Sequence, residues 1–337
     1  MNVFATTAIQ QIVPGVGTYI PALERLAAAD RFGVHRLVQD SDSADIFLFL
    51  DGHQHYRDIK LNAIRQHPLV RRDPAKAFLY SELDQPWCAM PGLYVAMPKA
   101  SFDLTRQRAC AYLSAPNQQV RAAAFPTARA DLLFSFMGRD GNSARERVLA
   151  LKSPDAFIQD TSAMNFFGTD TASLDQQRRQ YADIIARSRF VLCPRGAGPS
   201  SYRIFETMAA GRVPVILSDS WVPPRGPAWD QCALIINESD IGALPRILRD
   251  HAPRFETMAS AARCEWETWF AGDVLFHRMI DDLADLIRSR GPARIPFSRP
   301  FDPRYLRLRA RAAKSGVLES LGHLLRPSES PQPKGAQ

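Results

Sequence analysis

The 337-residue sequence predicts an α/β fold with parallel sheets, divided over two domains, on three observations. Short apolar runs alternate with helix-length stretches along the chain, as strands and helices do when they take turns. The runs are apolar on both parities, as strands covered by helices on both faces must be. The length exceeds what one ordinary small core holds and fits two.

The strand-length runs are 46–50 (IFLFL), 77–80 (AFLY), 93–97 (LYVAM), 132–137 (LLFSFM), 190–193 (FVLC), 213–217 (VPVIL) and 233–236 (ALII). Between them the spacing predicts helices over 20–29, 53–65, 144–151, 174–188, 201–210 and 241–249. A seam is expected at about 115–130 (APNQQVRAAAFPTARA), where Pro116, Pro126 and polar residues separate two strand-rich halves. It divides the chain into 1–120, 121–300 and a tail, 301–337. The tail holds a basic helix candidate at 304–314 (RYLRLRARAAK) and ends in PSESPQPKGAQ, a composition expected to be disordered.

Composition narrows the function classes. Hydrophobic residues make up 46% and charged residues 23%, which suits large cores and argues against global disorder. Lys and Arg number 42 against 35 Asp and Glu, a formal net charge of +7. Such an excess suits a nucleotide diphosphate, an acidic glycan or an anionic membrane surface, and equally a solvated basic surface. The 304–314 helix could touch acidic lipid or acidic substrate, or simply face water. The five cysteines (Cys88, Cys110, Cys193, Cys232, Cys264) contain no CxxC pair, so neither a disulfide framework nor a zinc site is expected, and a reducing, cytoplasmic setting is. No secretory signal and no window of eighteen uninterrupted apolar residues is visible. Basic residues are dispersed instead of interleaved with aromatics, which argues against a nucleic-acid partner.

The most informative stretch is 190–219, FVLCPRGAGPSSYRIFETMAAGRVPVILSD. It reads as a buried strand, a loop in which Gly196 and Gly198 permit close approach of a ligand, and a helix capped by Ser200 or Ser201. Gly211 stops that helix and the next parallel strand follows. The entrance of such a helix carries unpaired N–H groups and partial positive charge, so a diphosphate is expected over Ser200, Ser201 and Tyr202. Arg195 in the loop and Arg203 in the first turn can supply charge-assisted phosphate contacts. Glu206 lies three residues on from Arg203, leaning toward the helix N-terminus, where a carboxylate can accept both hydroxyls of a ribose. The alternative, an Arg203–Glu206 surface pair worth ~0.3 kcal/mol, stays open on spacing alone.

The run SRFVLCPRGAGPSSYRIFETMAAGRVPVILSDSWVPP closely resembles the C-terminal signature of exostosin-family glycosyltransferases: a strand, CPRG, a Ser, R-x-x-E, then G-x-x-P-V-I-x-S-D. ADIFLFL (44–50) and LLFSFMGR (132–139) extend the likeness to roughly 44–250, and the lack of an anchor is more like bacterial members. The resemblance implies a GT-B architecture, two Rossmann-like domains facing across a cleft. It also implies inverting transfer from a nucleotide-sugar, a uridine diphosphate sugar by family habit, to a carbohydrate acceptor in polysaccharide or surface-glycan synthesis. It puts Arg195, Gly196, Gly198, Ser200, Ser201, Arg203 and Glu206 at the donor, with Arg139 at the cleft near the diphosphate. Many GT-B enzymes carry a second Glu eight residues before the ribose-binding one; here that position is Gly198.

An inverting transfer needs a base for the attacking hydroxyl. Glu82, just past the strand AFLY, is similar to the strand–Glu–loop base of α1,3-fucosyltransferases, and a solvated loop carboxylate is its alternative. Asp51, His53 and His55 after IFLFL form the second candidate cluster, with a plain polar loop as the alternative. Asp219 and Trp221, beyond VPVIL, are candidates for donor sugar or acceptor, Trp221 being equally suited to packing beneath Pro223 and Pro224. Asp40-Ser41-Asp42 imitates a metal-holding DxD but has the composition of a turn. With a helix dipole and arginines at the diphosphate, no metal or other cofactor is expected. Two other readings remain: a degenerate transferase that binds nucleotide or glycan without catalysis, and a Rossmann oxidoreductase, against which no G-x-G-x-x-G follows the first strand.

Overall fold

The structure, a computed structural model, describes residues 1–8, 19–51, 62–84, 90–113, 117–121, 129–163 and 171–290. Its first sheet contains β1 (Asn2–Thr6), β2 (Arg36–Leu37), β3 (Ile46–Phe49), β4 (Ala77–Ser81), β5 (Gly92–Tyr94) and β6 (Gln107–Ala109) in the order β2-β1-β3-β4-β5-β6. The second contains β7 (Leu132–Gly138), β8 (Ala156–Asp160), β9 (Ser188–Pro194), β10 (Val213–Leu217) and β11 (Leu234–Ile236) in the order β11-β10-β9-β7-β8. Every pairing is parallel. The helices are α1 (Tyr19–Ala29), α2 (Asn62–Gln66), α3 (Pro68–Arg72), α4 (Gln118–Arg121), α5 (Ser143–Leu149), α6 (Thr171–Arg187), α7 (Tyr202–Ala209), α8 (Trp229–Cys232), α9 (Leu244–His251), α10 (Phe255–Trp269) and α11 (Leu275–Arg290). The expected α/β fold of two Rossmann-like halves is borne out. No described helix is long and apolar enough to cross a membrane.

Both-faced burial of the strands follows from their composition. On β3, Ile46 and Leu48 join one core cluster while Phe47 and Phe49 join another with Ile64, Val70 and Leu79. In the second sheet, Phe190 and Leu192 of β9 cluster with Val213, Val215 and Leu217 of β10, whereas Val191, Cys193 and Ile216 turn to the face of α7. Each fully buried side chain of this kind contributes about 1.5–3 kcal/mol. The cluster containing Ile46 and Leu48 also contains Val191, Ile204, Phe205 and Met208, so one continuous apolar core runs through both halves.

Four strands are not among the sequence expectations. β2 has two residues, and β1 and β8 are mostly half-buried, without a full apolar run. β6 reads QRA, yet it is wholly buried because Arg108 finds a partner: its Nη2 and Nε donate to Asp285 Oδ2 on α11 at 2.6 and 3.1 Å. Residues 275–290, placed by the expected seam in the second half, thus pack on the first sheet as α11, against α1, β5 and β6. Met279, Ile280, Leu283 and Leu286 of α11 supply the apolar reason. Asp40-Ser41-Asp42 is a turn as expected: Asp40 caps a short 3-10 helix over Ser41–Ser43 and Asp42 pairs with Arg72. Most of the 115–130 seam and all of the 304–314 helix lie outside the described residues.

The Arg108 side chain is only 5% exposed and that of Asp285 29%, so removing the carboxylate strands a desolvated cation. Asp285→Ala is therefore expected to lower stability by about 2–4 kcal/mol in urea unfolding, and Asp285→Asn by less. A second test concerns pH. His67 Nδ1 accepts from Leu69 N at 3.3 Å as the cap of α3, and burial lowers its pKa. The fold thus favours the neutral ring, and this contribution is full above the unfolded value of about 6.5 and is lost as pH falls from there through the lowered folded-state value. His67→Asn, which keeps a cap acceptor but does not titrate, is expected to flatten the fall in urea midpoint below about pH 6.5.

Candidate functional site

The loop between β9 and α7 is held from three sides. Main-chain N–H of Arg195 donates to Leu217 O at 3.1 Å, which anchors its start to β10. Asn142 works in two directions: its Oδ1 accepts from Ala144 N and Arg145 N, capping α5, while its Nδ2 donates to Arg195 O and Gly196 O at 3.0 and 3.2 Å. From the first half, Asp84 lies so close to Gly198 that a Cβ there would meet the Asp84 carbonyl oxygen at 2.3 Å. Only glycine admits that approach. Ser201 is the cap of α7, its Oγ accepting from Arg203 N at 3.4 Å. Gly211, at φ +66°, ends the helix in the left-handed region, as its position in the sequence predicts.

Two guanidinium groups flank the α7 entrance. Arg203 lies over the Phe136 ring at 4.9 Å, donates from Nη2 to Met137 O at 2.9 Å, and its buried Nε meets no acceptor among the described residues. The space it fills is the one Gly138 leaves: a Cβ there would stand 2.7 Å from Arg203 Nη2. Arg145, which sequence reasoning did not single out, donates from Nε to Arg195 O at 3.0 Å and from Nη1 to Arg139 O at 3.1 Å. Burial first, and then the charge of Arg203, push its pKa down to about 10, so it remains a cation at neutral pH. Neither arginine makes an ion pair with a described carboxylate. The two half-buried guanidinium groups thus stand beside each other with main-chain carbonyls as their hydrogen-bond partners, concentrating positive charge at the α7 entrance. Arg139 is exposed and adds to the same positive field.

Glu206, one turn into α7, is buried, and its Oε2 accepts from Tyr181 Oη on α6 at 2.8 Å. Burial and the adjacent carboxylate push the Tyr181 phenol far up, which keeps it a donor. The surface-pair alternative for Arg203 and Glu206 fails because both side chains turn inward and Arg203 spends its Nη2 on Met137.

Glu82 reaches the same place from the first half. It is 4% exposed at the end of β4. Its Oε1 accepts from Tyr80 Oη at 2.5 Å and Leu113 N at 2.6 Å, while Oε2 accepts from Tyr19 and from Tyr202, the first residue of α7, each at 3.3 Å. It is not the solvated loop carboxylate of the alternative reading. Tyr112 stacks on Tyr202 at 3.8 Å beside it.

Other expected residues are placed elsewhere. Arg195 turns its side chain away to Glu238 at 2.7 Å, and Asp219 Oδ1 accepts from Glu238 N at 2.8 Å, so the two stabilise neighbouring loops instead of lining the cradle. Trp221 is core: it meets Trp229 edge-to-face at 5.0 Å and is 6% exposed, so its ring is not offered to a sugar. Asp51 is fully buried, accepting from Thr7 Oγ1 and from Ala8 N at 3.0 Å, which ties the end of β1 to β3. His53 and His55 lie outside the described residues. Gly196, Gly198, Ser200, Ser201, Arg203 and Glu206 are brought together as expected, with Glu82, Arg145 and Tyr181 beside them. Arg145 carries a faint sequence signal, since it follows GN-S-A at the start of a helix just past Arg139.

Comparison with known proteins agrees. The family model described as the Exostosin GT47 domain matches residues 66–251, more than half of the chain. An Exostosin-1 homolog of Caenorhabditis elegans is 30% identical over 137 residues, covering 36% of this chain and 36% of that protein. A probable glycosyltransferase of Arabidopsis thaliana is 36% identical over 76 residues, covering 22% of this chain and 15% of its own length. The chain thus spans about a third or less of these curated relatives. Among solved structures, Anabaena HepE in complex with UDP-glucose aligns over 84% of this chain and 99% of its own, at 11% identity and a TM-score of 0.38. By its matched domain, which contains the strand, loop and helix of the signature, this chain belongs to the Exostosin GT47 family of glycosyltransferases.

Proposed function

We propose that this chain is an inverting transferase that moves a sugar from a uridine diphosphate sugar to a glycan acceptor in polysaccharide or surface-glycan synthesis. The observation that carries this reading is the Arg145–Arg203 pair at the α7 entrance, two cations hydrogen-bonded to main-chain carbonyls and making no ion pair with a described carboxylate. A diphosphate docked there would take their remaining donors and the helix N–H groups. Glu206, oriented by Tyr181, accepts the ribose hydroxyls. Glu82 is the base, through Oε2: Oε1 is fixed by two short bonds, whereas Oε2 accepts longer bonds of 3.3 Å from Tyr19 and from Tyr202 of α7. The acceptor hydroxyl gives its proton to Glu82 as its oxygen bonds the anomeric carbon. The bond from that carbon to the diphosphate breaks, and the electron pair leaves with the phosphate, where the arginines and helix dipole stabilise it. These fixed positive charges do the work that a bound cation does in other transferases, so turnover is expected without added metal.

One observation favours the non-catalytic reading: Glu82 is buried and links both halves, as a purely structural carboxylate also would be. Thermal shift and calorimetry with UDP-, GDP- and CDP-sugars, with and without EDTA, are the first test. UDP-sugars are expected to stabilise the protein and to keep doing so after chelation; no response to any nucleotide would remove the donor site. Glu206→Ala and Arg145→Ala are each expected to weaken donor binding by about 10-fold or more, a loss of ~1.4 kcal/mol. Glu82→Gln is expected to cut turnover by ~10²–10⁴-fold with donor affinity within about 3-fold of wild type. Full turnover in that variant would eliminate Glu82 as the base, and donor binding by a wild-type protein that transfers nothing would establish the degenerate reading.

A further inference from the structure

Away from the cradle, three side chains with metal-binding atoms converge where α11 crosses the edge of the first sheet. His35 stands immediately before β2, and His277 and Asp281 are four residues apart on one face of α11. His35 Nε2 lies 3.0 Å from Asp281 Oδ1, and His277 Nε2 lies 3.1 Å from Asp281 Oδ2. One ligand atom from each residue can be chosen so that all three lie within 4.8 Å of one another. The imidazoles are held, not floating. Their rings stack on each other with centroids 5.0 Å apart, Phe32 stacks on His277 at 4.1 Å, and His35 Nδ1 is 3.1 Å from the Met1 amino nitrogen. Their side chains are 5% and 10% exposed, whereas that of Asp281 is 49% exposed.

We propose that His35, His277 and Asp281 form a site for one divalent transition ion of the zinc type, which clips α11 to the edge of the first sheet. Ligand atoms at ~2.0–2.1 Å around a four-coordinate ion stand about 3.3 Å from each other, close to the two nitrogen–oxygen distances already present. Two imidazoles and one carboxylate are the donor set that borderline divalent ions select. Asp281 is half-exposed, so solvent reaches the carboxylate side of the cluster, where water can take the fourth position. The helix spacing makes His277 and Asp281 a chelating pair, and His35 adds a ligand more than 240 residues earlier in the chain, so the ion would hold a contact that the fold otherwise makes by packing and hydrogen bonds. His277 Nδ1 is buried with no partner among the described residues, the cost of a ring held in place for its other nitrogen.

The site is independent of the donor reading, so its test does not use activity. The full chain, stripped with EDTA and dialysed, is titrated with ZnCl2 by calorimetry and with CoCl2 by visible absorption. We expect one equivalent bound, a four-coordinate Co2+ spectrum and a raised melting temperature. His277→Gln and Asp281→Asn are each expected to weaken Zn2+ binding more than ~10-fold and to abolish the thermal gain, whereas Cys264→Ser, removing an exposed thiol, changes neither. Asp281 is half-exposed, so its variant is expected to fold. No Zn2+ binding by the stripped wild-type chain, or affinity unchanged in His277→Gln and Asp281→Asn, would overturn the proposal.

Discussion

The contact between Asp84 and Gly198 sets the terms for everything else in the site. A main chain from the first sheet approaches a main chain from the second so closely that no side chain fits between them. That approach puts the C-terminal ends of β4 and β9 at the same place. Strand ends of parallel sheets are where α/β proteins bind ligands. Because the contact is backbone to glycine, its geometry does not depend on a flexible side chain. Glu82, two residues before Asp84, is thereby carried to the first residue of α7 and meets the Tyr202 hydroxyl there.

Charge then decides what the place is for. A guanidinium removed from water is tolerated when carbonyls or carboxylates take its donors. Arg108 and Arg195 follow the second course, each with an acid at 2.6 or 2.7 Å. Arg145 and Arg203 follow the first, and they stand close enough that the charge of one lowers the pKa of the other. Their pairing at a helix entrance, with a glycine loop fastened by Asn142, concentrates positive charge at one place. The same helix explains Glu206: one turn further on, it is braced by a tyrosine from α6.

The second organising feature is the return of the chain. After the second sheet is complete, α11 comes back to pack on β5 and β6, and its apolar side chains merge with those of both halves into one cluster. The two halves therefore share a core as well as a glycine contact. The polar attachments of α11, Arg108–Asp285 and the His35–Asp281–His277 set, lie along that return and fix its register on the first sheet.

The sequence by itself determined the parallel α/β character, the β9–loop–α7–β10 unit, the Ser201 cap, the Gly211 stop and the placing of Arg203 and Glu206 on one short helix behind a glycine loop. All of these rest on local rules: burial on both strand faces, cap chemistry and helix spacing. Only the tertiary structure decided the rest, because it depends on residues far apart in the chain. Arg195 looked like a phosphate ligand until Glu238 claimed it from another loop, and Trp221 looked able to receive a sugar until the fold buried it in the core against Trp229. Arg145 was only faintly legible, since its significance comes from lying beside Arg203, 58 positions away. β6 and α11 were illegible for the same reason: a buried QRA strand makes sense only once Asp285 is opposite it, and His35 gains its neighbours only when α11 returns.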